Sequence, residues 1–337
     1  MKNKNLLYIG NNLFKKTNYA TSMQLLCNLL EKENYVVYKS SDKVNKIIRL
    51  LDMCLSVFKN KNRVSFVLID TFSTTNFYYA LIISQLCRLL NLKYIPILRG
   101  GNLPYRLVNN PKSSMLIFNH SHCNVAPSGY LKYEFEKQGF KTKIIPNIIS
   151  IDRYSYKERR EIKPKLFYVR AFADIYNPKM AIEVLFELRK IRPNAILCMV
   201  GPDKGGTLKE VKELVNKLDI TEHIEFTGVL SKEKWHEKSK NFDVFINTTN
   251  VDNTPVSVIE AMALGLPIVS TNAGGMPFLV DHEIDGLIVD KGNVHQMVTA
   301  IESVLNGQHE SLAKNARKKV EQFGWNVVRI TWIEILE

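Results

Sequence analysis

Asp252-Asn-Thr-Pro-Val-Ser-Val-Ile-Glu260 runs straight on into Ala-Met-Ala-Leu-Gly265-Leu-Pro267. Two carboxylates stand eight residues apart. Between them, Thr254-Pro255 predicts a helix start: a hydroxyl able to cap, then proline where its missing N–H costs nothing. Gly265 and Pro267 predict the stop. Asp252 then lies just ahead of a short helix, and Glu260 near the end of its second turn. Ser257 and Glu260 share a face, while Val256, Ile259 and Ala263 are expected to point inward.

Such a helix start suits a phosphorylated sugar. The free N–H groups around residues 254–257 can hold a phosphate. Carboxylates accept hydrogen bonds from hydroxyls and repel phosphate. Asp252 and Glu260 can each take a sugar on either side of a diphosphate, and a nucleotide-sugar has that layout. The plainer alternative is a capped amphipathic helix with two solvated acids.

Around this helix, Phe242–Asn247 reads as the strand that feeds it and Pro267–Ser270 as the strand that follows. Thr271-Asn-Ala-Gly274-Gly275 is expected to form a phosphate-side turn. The same alternation of apolar strands and amphipathic helices runs through the chain. Strands are expected at 6–9, 35–38, 64–69, 93–98, 115–118 and 141–145, then at 165–169, 195–200, 224–228 and 286–289. The class is α/β with mainly parallel sheets, in doubly wound Rossmann-like domains. Pro146-Asn147 closes an N-terminal domain of residues 1–147. A polar linker covers 148–164, a second domain covers 165–323, and a helix over 324–337 returns to the first.

At 337 residues the chain is comfortable for two domains. Charge is uneven. Residues 1–150 hold 21 Lys and Arg against 7 Asp and Glu, about +14, and the rest hold 25 against 26, about −1. A basic half fits peripheral contact with an anionic membrane, where each basic group gains about 1 kcal/mol. Solubilising lysines or nucleic-acid affinity are the alternatives, and no nucleic-acid partner is expected. The five cysteines show no metal spacing and read as reduced residues of a cytoplasmic protein. Leu6–Ile9 is too short for a secretory signal, and polar residues interrupt the long apolar region from Phe77 to Leu98. His120 and His122 form a weak metal signal; a packed or capping histidine is the commoner case.

The stretch from Asp252 to Pro267 resembles the E-x7-E motif of family-4 glycosyltransferases, retaining enzymes of the GT-B fold, whose two Rossmann-like domains face each other across a cleft. Its usual form is E-G-x-P-x-x-x-x-E-A-M-A-x-G-x-P. Here Asp252 stands for the first Glu and Asn253 for the Gly, and the remainder matches. With that continuation in register, the binding reading outweighs the plainer one. The resemblance covers nearly the whole chain and is strongest from 242 to 289.

The resemblance implies a set of donor-binding residues. Asp252 meets the donor sugar and Glu260 the ribose, with Asn253, Thr254, Pro255, Val256 and Ser257 between them. Arg170 and Lys179 hold the diphosphate, although the loop joining them is longer than the family's G-R-x-x-x-x-K-G. Two fixed cations are what a leaving nucleoside diphosphate needs as its negative charge grows. Gly201 ends a strand on the donor side, and Gly228 and Val229 frame the base. On the acceptor side the first loop, with Asn11 and Asn12, carries Lys15-Lys16-Thr17-Asn18 where the family has Gly-Gly. Arg99 stands where many members have His, ahead of Gly100-Gly101. It could meet a phosphate or acidic sugar, or form a structural ion pair. His120 is a further acceptor-side candidate.

The function implied is transfer of a sugar from a UDP- or GDP-sugar to a saccharide or polyprenyl-linked acceptor in bacterial surface polysaccharide synthesis. Stereochemistry would be retained, with no metal and no cofactor. The alternatives are a GT-B epimerase acting on a nucleotide-sugar and an inactive GT-B binding partner.

Overall fold

The structure, a computed structural model, describes residues 4–10 and 21–337. Asn11, Asn12 and the Lys15–Asn18 stretch lie outside the described residues. The chain forms two compact units. One comprises residues up to Ile148 together with Trp325–Glu337, the other Ile149–Gly324.

The first unit holds six strands: β1 (Asn5–Ile9), β2 (Val36–Ser40), β3 (Phe66–Thr71), β4 (Lys93–Leu98), β5 (Asn124–Ala126) and β6 (Thr142–Ile144). They pair in parallel in the order β2-β1-β3-β4-β5-β6, so the winding reverses between β1 and β3. Alternate residues of β1 serve opposite cores. Leu7 and Ile9 pack with Val67, Phe77 and Ile83, while Leu6 and Tyr8 pack with Leu26, Leu68 and Trp332. Burial on both faces is why these strands read as unbroken apolar runs. Trp332, Val328 and Ile335 come from the last helix, Trp325–Leu336, which belongs to this unit.

One expected strand is a helix. Met115–Phe118 ends the helix Pro111–Phe118, with proline in its first turn. Ser114, Ile117 and Phe118 are buried while Met115 and Leu116 are exposed, a helical spacing. A four-residue apolar run cannot be assigned by periodicity alone. The strand of this region is β5, six residues further on.

The second unit holds β7 (Lys165–Val169), β8 (Ile196–Val200), β9 (Ile224–Gly228), β10 (Val244–Asn247), β11 (Ile268–Thr271) and β12 (Leu287–Val289). All pairings are parallel, in the order β12-β11-β10-β7-β8-β9. The strand order reverses between β7 and β10. Leu166 and Tyr168 of β7 face helices Pro178–Ile191 and Val294–Leu305, while Phe167 faces helices Val256–Ala263 and Leu312–Glu321. No helix among the described residues is long and apolar enough to cross a membrane.

Candidate functional site

In open α/β sheets, ligands gather at the carboxyl ends of the strands where the order reverses. In the second unit those strands are β7 and β10. The first residue after β7 is Arg170, and the loop after β10 carries Asp252 through Pro255.

Arg170 is held from below. Its N–H donates to the Val200 carbonyl at 3.0 Å. A Cβ on Gly201 would sit 1.9 Å from the Arg170 carbonyl oxygen, so only glycine lets β8 end that close. The guanidinium lies 4.3 Å from the centre of the Tyr176 ring and forms an ion pair with Asp252. Burial lowers its pKa, opposed by Tyr176 and Tyr168. Its Nε is buried without a hydrogen-bond partner. The loop carrying Tyr176 is pinned to the one after β10. Thr248 Oγ1 donates to the Tyr176 and Asn177 carbonyls at 3.0 and 2.8 Å, and the Asn250 N–H donates to the Ile175 carbonyl at 2.8 Å.

The helix begins at Val256, with Pro255 as its extended cap residue. The expected Thr254 cap is absent. Thr254 Oγ1 makes no cap bond, and both it and Ser257 Oγ are buried without a partner. Leaving a buried hydroxyl unpaired costs about 1–3 kcal/mol, which marks a place for a polar ligand. Asp252 and Asn253 are set by the Gly274-Gly275 turn. A Cβ on Gly274 would lie 2.1 Å from the Asp252 carbonyl oxygen, and one on Gly275 would lie 1.6 Å from that of Asn253. Both glycines let the turn close against the loop that carries Asp252 and Asn253.

The far end of the helix is clamped by two arginines. Arg159 donates to the carbonyls of Leu264 and Gly265 at 3.2 and 2.8 Å, and Arg317 to that of Ala263 at 2.7 Å. Cations at the helix C-terminus satisfy orphan carbonyls and oppose the negative end of the dipole. Ile259 and Ala263 are buried as expected, whereas Val256 is exposed on the first turn.

Glu260 is only 3% exposed. Tyr154 Oη donates to it at 2.9 Å and Lys232 Nζ at 2.5 Å, while His236 Nε2 stands 3.7 Å away, too far for a hydrogen bond. Burial pushes its pKa up, but His236, Lys232 and Tyr154 outweigh that and the net shift is downward. The same contact works on Tyr154, whose pKa is raised by burial and then by Glu260. Tyr154, Tyr176, Lys232 and His236 are functional candidates that sequence reasoning missed. Lys232 and His236 stand four apart on the helix Lys232–Ser239, a spacing that signals one face. Nothing in the sequence marks Tyr154, 106 residues from its partner.

The other sequence candidates are more dispersed. Lys179 sits on the first turn of Pro178–Ile191, half exposed and paired with Glu210 at 2.5 Å, which raises its pKa. Its partner is thus Glu210 rather than a group around Arg170. Gly228 has a left-handed φ of +68° and faces open space, and Val229 beside it is exposed.

In the first unit Arg99 takes the ion-pair alternative. Its Nε donates to Asp70 at 2.9 Å and its terminal nitrogens to Asn147 and Tyr8, each at 3.1 Å. Gly100 backs onto Ser73, where a Cβ would lie 2.9 Å from the amide nitrogen, and Gly101 continues the turn. His120 is exposed in the turn ahead of β5, near the amino ends of the strands. It therefore lies toward the opposite ends of the strands from Arg99–Gly101. Among the described residues no group of three His, Cys, Asp or Glu could hold a metal ion.

Comparison with known proteins agrees with this architecture. By sequence, the chain is 28% identical over 150 residues to the sulfoquinovosyl transferase SQD2 of Arabidopsis thaliana, covering 43% of this chain and 28% of that one. It is 25% identical over 157 residues to a GDP-mannose-dependent alpha-(1-6)-phosphatidylinositol monomannoside mannosyltransferase of Mycobacterium tuberculosis, covering 44% and 40%. These matches span less than half the length of the curated relatives. By structure, it resembles Anabaena Alr3699/HepE in complex with UDP and glucose, with a TM-score of 0.75, 16% identity, and 98% and 99% of the two chains covered. Sucrose-phosphate synthase from Thermosynechococcus elongatus gives a TM-score of 0.80 at 14% identity, with 98% of each chain covered. The fold is GT-B, two Rossmann-like units. Residues 152–320, which include Arg170, Asp252 and Glu260, match the family described as glycosyl transferases group 1, and the chain belongs to that family.

Proposed function

We propose that this protein is a retaining, metal-independent glycosyltransferase that moves a sugar from a UDP- or GDP-sugar to a saccharide or polyprenyl-linked acceptor, in the synthesis of a bacterial surface polysaccharide. The observation that carries the reading is the set of unpartnered buried polar atoms around the helix start: Arg170 Nε, Thr254 Oγ1 and Ser257 Oγ. They line the position where a diphosphate would receive a guanidinium from one side and first-turn amides from the other.

In this reading Arg170 leaves Asp252 for the diphosphate, freeing the carboxylate to accept from sugar hydroxyls. Glu260, ionised and steadied by Tyr154, accepts from the ribose. The acceptor hydroxyl attacks the anomeric carbon on the face the diphosphate leaves. The carbon–oxygen bond to phosphate breaks, the new glycosidic bond forms, and the acceptor proton passes to the departing phosphate oxygen. Arg170 and the helix amides stabilise the charge growing on that phosphate, a role worth about 10²–10³ in rate per donor. Arg170 supplies the cation that a metal-dependent site takes from a bound ion. Lys179 becomes a second cation if it exchanges Glu210 for the phosphate.

The test is incubation with UDP- and GDP-sugars, with and without lipid-linked and saccharide acceptors. The expected result is acceptor-dependent release of nucleoside diphosphate, undiminished by EDTA, with the donor's anomeric configuration kept in the product by NMR. Inverted product, or release that requires added metal, would overturn this mechanism.

A further inference from the structure

The helix Lys46–Asn60 on the first unit has an outer face that is not polar. Met53 and Val57 turn inward, into the core that holds Phe77 and Ala80. On the outside Val44, Ile47, Ile48, Leu51, Leu55 and Phe58 are exposed, Ile47 at 72% and Leu55 at 66%. Their spacings of three, one, three, four and three residues align them along one side, about 20 Å long at 1.5 Å per residue. Single exposed apolar residues are ordinary, but a continuous stripe marks an interaction surface. The helix is joined to the neighbouring helix Asn76–Leu89 by Tyr79 Oη, which donates to the Lys46 carbonyl at 3.0 Å on the side away from the stripe.

Charge identifies the occupant. Lys59 stands in the last turn and Lys61 just beyond, both exposed, and Lys59 flanks the stripe, four residues after Leu55 and eleven after Ile48. They belong to the part of the sequence, residues 1–150, that carries 21 Lys and Arg against 7 Asp and Glu. A second copy seated on the stripe would bring two strongly basic units together. A nucleic acid would match the charge and leave the apolar stripe in water. An anionic bilayer satisfies both: acyl chains for the stripe, lipid phosphates for the lysines beside it.

We propose that Lys46–Asn60 is the element by which this protein docks on an anionic membrane surface. It lies in the plane of the headgroups with Ile47, Leu51, Leu55 and Phe58 in the acyl boundary. The assignment is independent of the chemistry at Arg170.

The test is co-sedimentation of the full chain with vesicles of phosphatidylcholine alone or mixed with phosphatidylglycerol. Binding is expected only with phosphatidylglycerol, and is expected to weaken as salt rises. The double variant Leu51→Glu/Leu55→Glu should partition at least about tenfold less, with circular dichroism and melting temperature unchanged because both side chains are exposed. Lys59→Glu/Lys61→Glu should weaken binding to the mixed vesicles at low salt. Three results would overturn the proposal: no binding to anionic vesicles, equal binding of the Leu51→Glu/Leu55→Glu variant, or a wild-type dimer in sedimentation that this variant dissociates.

Discussion

Arg99 leaves β4 near the switch point of the first sheet, and Arg170 leaves β7 at the switch point of the second. The two guanidiniums are solvated very differently. Arg99 donates to Asp70, Asn147 and Tyr8, and Tyr8 Oη in turn donates to Asp70 at 2.9 Å. Burial alone would lower the Arg99 pKa, but Tyr8 and Asp70 more than offset it and the shift is upward. Arg170 has one carboxylate, the face of a tyrosine ring and a buried Nε with no partner. Among the described residues, every buried side-chain polar atom without a partner lies in the second unit. A network closed on itself fixes a fold. A network left open at a helix start retains capacity for a ligand.

Substitution at each arginine can break that contrast. Arg99→Met should cost about 3–5 kcal/mol of stability, because Asp70 is left buried and uncompensated. Chemical denaturation measures it, and a loss below 1 kcal/mol would mean that the closed network is dispensable. Arg170→Met should lower turnover by about 10²–10³ while depressing the melting temperature less than Arg99→Met does. The reverse order of melting temperatures would remove the distinction.

Smaller effects sharpen it. Ser257→Ala and Thr254→Val each delete a hydroxyl that has no partner in the protein. Stability should hold or rise slightly, while nucleotide affinity falls by about 1 kcal/mol per hydrogen bond lost. Calorimetric titration separates the two, and unchanged affinity would exclude these hydroxyls from the ligand. The last effect is on pH. Glu260 has a lowered folded pKa, so its contribution to stability is present above the ordinary carboxylate value of about 4.3 and is lost as pH falls through the folded value. The stability gap between wild type and Glu260→Gln, read from melting temperatures, should therefore close as acid is added. A gap independent of pH would contradict the ionised, paired state.

Legibility from sequence followed the range of the interactions. The helix after Asp252 and its stop at Gly265 were readable because local backbone chemistry dictates them. Gly265 has a left-handed φ of +78°, and its N–H donates to Met262 O at 3.2 Å. Alternating burial on both faces made the parallel strands readable as well. Met115–Phe118 is not legible as helix because four apolar residues carry no usable period, and the local sign of the helix is Pro111 at its start. The Thr254 cap failed because Pro255, not Thr254, occupies the cap position. Tyr154, Lys232 and His236 reach Glu260 only through tertiary packing, and Arg99 closed its network with Tyr8, 91 residues away. Long-range partners of this kind leave no local pattern.

The central claim is that Arg170 and the start of the helix at Val256 together hold a nucleoside diphosphate. Isothermal titration of UDP and GDP into wild type and Arg170→Met tests it directly. The account predicts saturable binding to the wild type and at least about tenfold weaker binding, 1.4 kcal/mol, to the variant. Equal affinity in the two proteins, or no binding of either nucleotide to the wild type, would contradict it.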